Sequence, residues 1–448
     1  MKRKTGPLPG IPVSCVVRPA KQVEGVVEVP GDKSISHRVG MFAGLAAGTS
    51  LIQNYLRAGD CISTLRAMEA LGARTYALED GSIQIEGTAG NMLQPAGPLD
   101  VGNSGTTIRL LSGLIAGHKV EVQLTGDESL CSRPMKRIQA PLELMGAKVE
   151  LTGERGTAPV TIKGGTLKGI DYLLPMASAQ VKSCVLLAGL FAEGTTRVTE
   201  PVHTRDHTEQ LFKLMNVPLE IKGLQLCLKG YGPKGPPLKA RTFIIPGDFS
   251  SAAFWMVAGA ARPGQEVTIR NVGLNPRRTA LIKVLRAAGA TVEVKPYENT
   301  NHAELAGDIV VKGAHLSGVE VGGDDIPNLI DEVPIIAVMG ALAKGRTVIR
   351  DAAELRVKES DRIECMASNL RLMGVNVTTH PDGLEIEGGA KLQGSSAIRS
   401  YGDHRIAMSM AVLGLFAPEP IVIGNVGCVD TSYPEFWTHL GALGGHVE

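Results

Sequence analysis

Cysteine is sparse and unpaired in this sequence: Cys15, Cys61, Cys131, Cys184, Cys227, Cys365 and Cys428 form no C-x-x-C pair and have no histidine partner at metal-ligand spacing. An odd, scattered set argues against a disulfide framework or a zinc ribbon and points to reduced thiols and a cytoplasmic setting. Long apolar runs are missing too, since no stretch approaches the roughly 18 uninterrupted apolar residues of a membrane span. Neither sign of charge dominates. With a formal net charge of +1 there is no global basic field, so nucleic acid and acidic membranes are not expected partners, and any anion chemistry must come from a local cluster. The opening MKRKTGPLPG is basic but leads into Gly and Pro instead of an apolar segment, so no secretory signal is expected. What is present is a globular composition: 448 residues, 44% hydrophobic and 20% charged, enough for two or three cores and too apolar for disorder.

Internal repetition organises the chain. A helical apolar stretch ends in a Leu/Met-Gly-Ala phrase and is followed by an alternating strand, a turn and a second strand, six times over. The phrases fall at Gly72, Gly146, Asn216, Gly289, Gly374 and Gly444, spacings of 74, 70, 73, 85 and 70 residues. Gly or Asn there suits a left-handed helix C-cap, and the V-x-V alternation after it suits a half-exposed strand, so each unit reads as helix, cap and hairpin. A Pro-Gly-Asp-x-Ser phrase begins at Pro30 and again at Pro246, about three units later, which divides the chain into two halves of three units. The sixth hairpin runs out at Glu448 one strand short, and the apolar segment SCVVR at residues 14 to 18 is placed to complete it. This predicts two domains, 29–246 and 1–28 with 247–448, two strands crossing between them, and a ligand cleft at their junction.

Several motifs carry candidate chemistry. In VPGDKSISHR, Pro30 and Gly31 make a turn, Asp32 or Ser34 can cap a helix, and Ser34 and Arg38 lie four apart on one helical face, near N-terminal amides that suit an anion. The cognate IPGDFSSAAF keeps Asp248 and Ser250 but has Phe249 in place of Lys33. The frame is therefore structural, and Lys33 and Arg38 are left for a ligand. GNSGTTIRL opens a helix with small residues, and Gly105, lacking a Cβ, lets backbone approach a ligand, although a lone glycine turn is more often only a turn. Arg133 in SRPM would sit at a helix N-terminus with the wrong sign for the dipole, which favours a ligand role. PMASAQVKSC offers Ser178, a natural cap, and Gln180. His203 and His207 lack a third ligand at metal spacing, so no metal is expected. In IDEVP, Asp331 stands among Leu329, Ile330, Val333 and Pro334, surroundings expected to raise its pKa and suit a base. In LRVKESDR, Lys358 and Arg362 are four apart, a spacing that on a helix usually marks a solvated face.

Together GDKSISHR, GNSGTTIRL, SRPM, PMASAQVKS, TRDHTE, IDEVP, LRVKESDR and DHRIAMS resemble the 5-enolpyruvylshikimate-3-phosphate (EPSP) synthases over nearly the full chain. The resemblance implies an inside-out α/β barrel of two lobes, each of three repeated units. It implies transfer of the enolpyruvyl group of phosphoenolpyruvate to the 5-hydroxyl of shikimate 3-phosphate, with release of phosphate. Each substrate carries a phosphate and a carboxylate, so the site needs convergent cations, and Lys33, Arg38, Arg133, Arg205, Lys358, Arg362 and Arg405 come from five motifs in both halves. By resemblance, shikimate 3-phosphate is held by Lys33, Ser34, Arg38, Ser178, Ala179 through its backbone, Gln180, Arg205, Asp331 and Lys358. Phosphoenolpyruvate is held by Lys33, Asn103, Gly105, Arg133, Gln180, Arg362, His404 and Arg405. Asp331 takes the hydroxyl proton and Lys33 or Glu359 protonates the methylene carbon, in an addition–elimination that calls for neither metal nor organic cofactor. Facing cations are expected to repel across the cleft until anions bind. A monomer is expected, as is inhibition by glyphosate in the phosphoenolpyruvate pocket.

TSYPEF has Thr431 and Ser432 where some members carry a lysine, and with LRVKESDR it resembles the divergent bacterial, class II-like, subgroup. Leu110 follows Arg109 where many members have proline, and Gly105 stands where naturally tolerant members of that subgroup carry alanine. The sister UDP-N-acetylglucosamine enolpyruvyl transferases share the implied fold but usually have a catalytic cysteine in a mobile loop, for which Cys131 is the candidate. A non-catalytic anion-binding repeat protein would have no need of Asp331 and Glu359.

Overall fold

The computed structural model describes residues 14–298, 302–395 and 397–448; the opening MKRKTGPLPG lies outside them. All six repeat phrases end a helix in the left-handed region, with φ of 109° at Gly72, 108° at Gly146, 57° at Asn216, 104° at Gly289, 83° at Gly374 and 98° at Gly444. A residue that tolerates this conformation stops the helix and turns the chain into a strand. The helices so closed, Gly59–Ala70, Lys136–Met145, His207–Leu214, Ala280–Ala287, Arg362–Leu372 and Phe436–Ala442, lie on the outside and bury one side only.

Each unit also holds an inner helix: Lys33–Leu45, Gly105–Ala116, Ala179–Gly189, Phe249–Ala260, Val333–Leu342 and His404–Gly414. These are buried almost all round, Phe249–Ala260 completely, so their sequences are apolar runs without an amphipathic stripe. The expected unit of helix, cap and hairpin is thus corrected to strand, inner helix, strand, outer helix, hairpin. Its four strands form one sheet. In the second unit Leu99–Asp100 runs parallel to Glu121–Thr125, and Val160–Lys163 pairs antiparallel with both Glu121–Thr125 and Lys148–Leu151. Five further four-stranded sheets repeat this order.

Two sheets take their parallel edge strand from far along the chain. Gly25–Glu28 pairs with Glu266–Gly273, whereas Thr242–Ile244 pairs with Thr49–Gln53. The connections that follow run past each other, tied by Asp32 N–H to Pro246 O and Asp248 N–H to Pro30 O, both at 2.8 Å. In the last sheet Cys15–Arg18 lies antiparallel between Ile421–Gly424 and His446–Val447 and completes the sixth hairpin, as the sequence suggested. Buried apolar side chains gather in two cores, one drawn from residues 35 to 245 and one from 15 to 29 with 249 to 443. Among the described residues no helix is long and apolar enough to cross a membrane.

Candidate active site

A cavity of about 620 Å³ is walled by both halves, and residues at or just before the N-terminus of every inner helix line it. The caps explain why. Asp32, Ser104, Ser178, Asp248 and Asp403 each accept a backbone N–H from the first turn of the helix that follows, while the positive ends of the helix dipoles face the cavity. At the first helix the cap is Asp32, through Ile35 N–H at 2.9 Å, which leaves Ser34 free to line the cavity.

Nine cationic side chains reach the lining: Lys33, Arg38, Arg109, Arg133, Arg137, Arg205, Arg278, Lys358 and Arg405. Seven carboxylates stand among them, Asp60, Asp248, Asp324, Asp331, Asp351, Glu354 and Glu359, so the wall is positive by two charges. Most cations are paired. Arg205 donates to Asp331 at 2.5 Å, Lys33 meets Asp60 at 2.6 Å, Arg137 makes two bonds to Glu354 at 2.8 and 3.0 Å, and Arg133 reaches Glu359 at 3.5 Å. All but the Lys33 pair join the two halves. The expected repulsion between facing cations is therefore corrected: carboxylates stand between them.

Of the residues expected at the site, Lys33, Ser34, Arg38, Gly105, Arg133, Ser178, Ala179, Gln180, Arg205, Asp331, Lys358, Glu359, His404 and Arg405 line the cavity. Asn103 and Arg362 stand behind its wall. Asn103 Oδ1 accepts from Arg133 at 2.5 Å, and Arg362, only 1% exposed, donates to Asp331 at 3.2 Å, Glu359 at 2.7 Å and Asp403 at 2.8 Å. Lys358 and Arg362 do not share a helix: Lys358 is extended after the 3-10 helix Ala353–Val357, and Arg362 opens the helix Arg362–Leu372. The solvated-face reading fails accordingly.

The raised pKa expected for Asp331 is overturned. Burial pushes it up, but Arg205, Arg405, Arg362 and Lys358 outweigh burial and hold the carboxyl well below the usual carboxylate range. Its apolar sequence neighbours Leu329 and Val333 turn into the core and leave Asp331 among arginines. Glu359 is likewise held low against burial by Arg362, Arg133, His404 and Lys33. Burial lowers Lys33, but Asp60 and Glu359 more than offset it, and the ammonium is favoured. Burial, with Lys33 and Arg405 nearby, keeps His404 neutral, and burial brings Arg38 and Arg109 down to about 10, still charged at neutral pH.

Asp60, Arg109, Arg137, Arg278 and Glu354 join the site without having been singled out by their motifs. Arg278 carries a signal in the repeat: in NPRRTAL it stands two residues before an outer helix, as Arg205 does in TRDHTE. Cys131 donates to Gly126 O at 3.4 Å, and neither it nor Leu110, Thr431 or Ser432 lines the cavity. His207 is bonded to Glu304 at 2.6 Å.

Six such units around a cation-lined cleft are the architecture found in solved enolpyruvyl transferases. The enolpyruvyl transferase NikO from Streptomyces tendae has this fold, with a TM-score of 0.78 at 18% identity over 98% of this chain and 99% of that one. EPSP synthase from Acinetobacter baumannii is similar with a TM-score of 0.84 at 43% identity over 97% and 99%. The family model for EPSP synthase (3-phosphoshikimate 1-carboxyvinyltransferase) matches residues 17–440. Relatives named 3-phosphoshikimate 1-carboxyvinyltransferase include that of Akkermansia muciniphila, 49% identical over 92% of this chain and 96% of its own. That of Bacillus subtilis is 45% identical over 94% and 97%. The chain belongs to the EPSP synthase family.

Proposed function

We propose that this chain is a 3-phosphoshikimate 1-carboxyvinyltransferase, moving the enolpyruvyl group of phosphoenolpyruvate to the 5-hydroxyl of shikimate 3-phosphate and releasing phosphate. The observation that carries this reading is the convergence of cations from both halves around Asp331 and Glu359 in one cavity. Two doubly anionic ligands in contact need that many charge-assisted donors. On this reading residues 29–246 form the lobe that mainly holds shikimate 3-phosphate, through Lys33, Ser34, Arg38, Ser178, Ala179, Gln180 and Arg205, with Lys358 and Asp331 from across the cleft. Residues 1–28 with 247–448 complete the phosphoenolpyruvate side, where His404 and Arg405 face Lys33, Gly105, Gln180 and Arg133, and Asn103 and Arg362 fix the groups around them. The enzyme works as a monomer in the cytoplasm, and glyphosate competes in the phosphoenolpyruvate half.

The acid–base roles follow from the charges. Substrate anions draw on Arg205, Arg405 and Lys358, so Asp331 loses part of the field that holds it ionised and becomes a stronger base toward the 5-hydroxyl. As that oxygen attacks C2, C3 takes a proton, and Lys33, whose ammonium form is favoured, suits the donor role better than ionised Glu359. Glu359 then suits removal of a proton from the new methyl group as the C2–O bond to phosphate breaks. The cations stabilise the charge of the tetrahedral intermediate and of the leaving phosphate, and no step calls for a metal. Purified enzyme should release inorganic phosphate when given both substrates and none when given either alone. No release with both, or release with UDP-N-acetylglucosamine in place of shikimate 3-phosphate, would sink the reading.

A further inference from the structure

The residue after Asp331 is a carboxylate with half its bonding unused. Glu332 is 1% exposed. Its Oε1 accepts from Ser250 Oγ and lies 3.5 Å from Arg278 Nη2, while its Oε2 has no hydrogen-bond partner. At 4.0 Å from Oε2 is Arg205 Nη2, which has no partner either, and nor has Arg205 Nε. All three atoms are closed off from the cavity, so no substrate group reaches them. Arg205 Nη1 is meanwhile bonded to Asp331 at 2.5 Å. The guanidinium thus stands between two carboxylates, bonded to one and about 1 Å short of a charge-assisted bond to the other. Leaving buried donors and an acceptor unmatched side by side is unfavourable, so the pair is poised to close.

We propose that Glu332 is a positioning residue of the reaction: it takes the Arg205 guanidinium when shikimate 3-phosphate binds and thereby frees Asp331 to act as base. This rests on the reading of Asp331 as the base. The charged groups facing Asp331 are Arg205, Arg405, Arg362 and Lys358. Those facing Glu332 are Arg205 and Arg278, and Arg278 in turn faces Asp248 and Asp32. Of the four cations around Asp331, only Arg205 has, among the described residues, a second carboxylate waiting behind it with an unused buried oxygen.

The test compares full-length Glu332→Gln, Glu332→Asp and Asp331→Asn with wild type, following kcat against pH, shikimate 3-phosphate affinity by titration, and folding by thermal melting. In Glu332→Gln, Arg205 stays on Asp331, so kcat falls about tenfold while affinity changes by less than about threefold. The acid limb of the kcat profile moves to lower pH, because a base locked to arginine stays deprotonated further into acid. Glu332→Asp keeps a carboxylate and restores the wild-type limb. An unmoved limb or wild-type turnover in folded Glu332→Gln overturns the proposal. Near-normal turnover in Asp331→Asn refutes Asp331 as base, whereas inactive Asp331→Asn beside normal Glu332→Gln removes only the role of Glu332. A crystal structure of wild type with shikimate 3-phosphate decides the matter even if Glu332→Gln does not fold. Arg205 Nη2 should lie within hydrogen-bond distance of Glu332 Oε2, and pairing that stays on Asp331 overturns the idea.

Discussion

Replacing Gly105 by alanine tests the proposed phosphoenolpyruvate side of the cavity at one methyl group. Gly105 opens the helix Gly105–Ala116 without a positive φ, so the backbone accepts alanine, and the global fold should be unharmed. The added Cβ would stand 2.8 Å from Arg109 Nη1 and 3.1 Å from Arg133 Nη1. Ordinary contact begins near about 3.5 Å, so the two guanidiniums must retreat by roughly 0.7 and 0.4 Å. Neither is free to do so. Arg109 Nη1 is bonded to Gln180 Oε1 at 2.9 Å, and Arg133 is held by Asn103 Oδ1 at 2.5 Å and Ser129 Oγ at 3.1 Å. Part of the strain therefore reaches any ligand that uses Arg133, and the Michaelis constant for phosphoenolpyruvate should rise. On the proposed reading, glyphosate, the longer anion, would meet the methyl group directly as well. Overpacking of this kind costs about 1 to 3 kcal/mol, which predicts an inhibition constant raised about 5- to 150-fold beyond the change in the Michaelis constant. Steady-state inhibition at varied phosphoenolpyruvate measures both constants. An unchanged ratio between them would refute the steric reasoning, and inhibition that is not competitive with phosphoenolpyruvate would place glyphosate elsewhere.

Lys182 lies 1% exposed between Glu200 at 3.1 Å and Glu209 at 2.5 Å, so Lys182→Met strands two buried carboxylates and should lower stability in urea by about 3 to 5 kcal/mol; a loss under about 1 kcal/mol would mean that the pair is reached by water. Burial, with Lys33 and Arg38 nearby, holds His37 well below 6.5, and His404 behaves likewise. Groups that take protons more readily unfolded than folded contribute stability above about pH 6.5 and lose it as pH falls toward their folded pKa. The unfolding free energy from urea titrations should thus decline on the acid side by about 1.4 kcal/mol per pH unit for each histidine, and less steeply in His37→Gln; an equal slope in the variant would exclude His37. Ion pairs already bridge the two halves but leave the wall positive by two charges, so adding shikimate 3-phosphate with a phosphoenolpyruvate analogue should neutralise that excess, draw the halves closer and reduce the X-ray scattering radius, and equal radii would speak against closure.

Much of the architecture is legible along the chain because some demands are local. A helix that must stop in the left-handed region needs Gly or Asn wherever it lies, so Gly72, Gly146, Asn216, Gly289, Gly374 and Gly444 mark the six units. A hairpin short of one strand needs a partner, and Cys15–Arg18 supplies it. The inner helices are harder to read because protein surrounds them and their sequences carry no stripe, although Gly31-Asp32, Gly102-Asn103, Gly247-Asp248 and Gly402-Asp403 mark four of their starts. Residue types likewise identify Lys33, Arg38, Arg133, Arg205 and Arg405 as candidates for an anionic ligand.

The state of Asp331 was decided by tertiary structure alone. Its neighbours in sequence are apolar, yet the groups that set its acidity are Arg205, 126 residues away, Arg405, 74 away, and Arg362, 31 away. The same holds for Glu332, whose partners Ser250 and Arg278 come from the unit before its own and Arg205 from the unit before that. Composition and periodicity determine where a chain caps, turns and buries its faces, since those depend on each residue and its nearest neighbours. Electrostatic fields act through space, and the distances that govern them exist only once the six units have closed around one cavity.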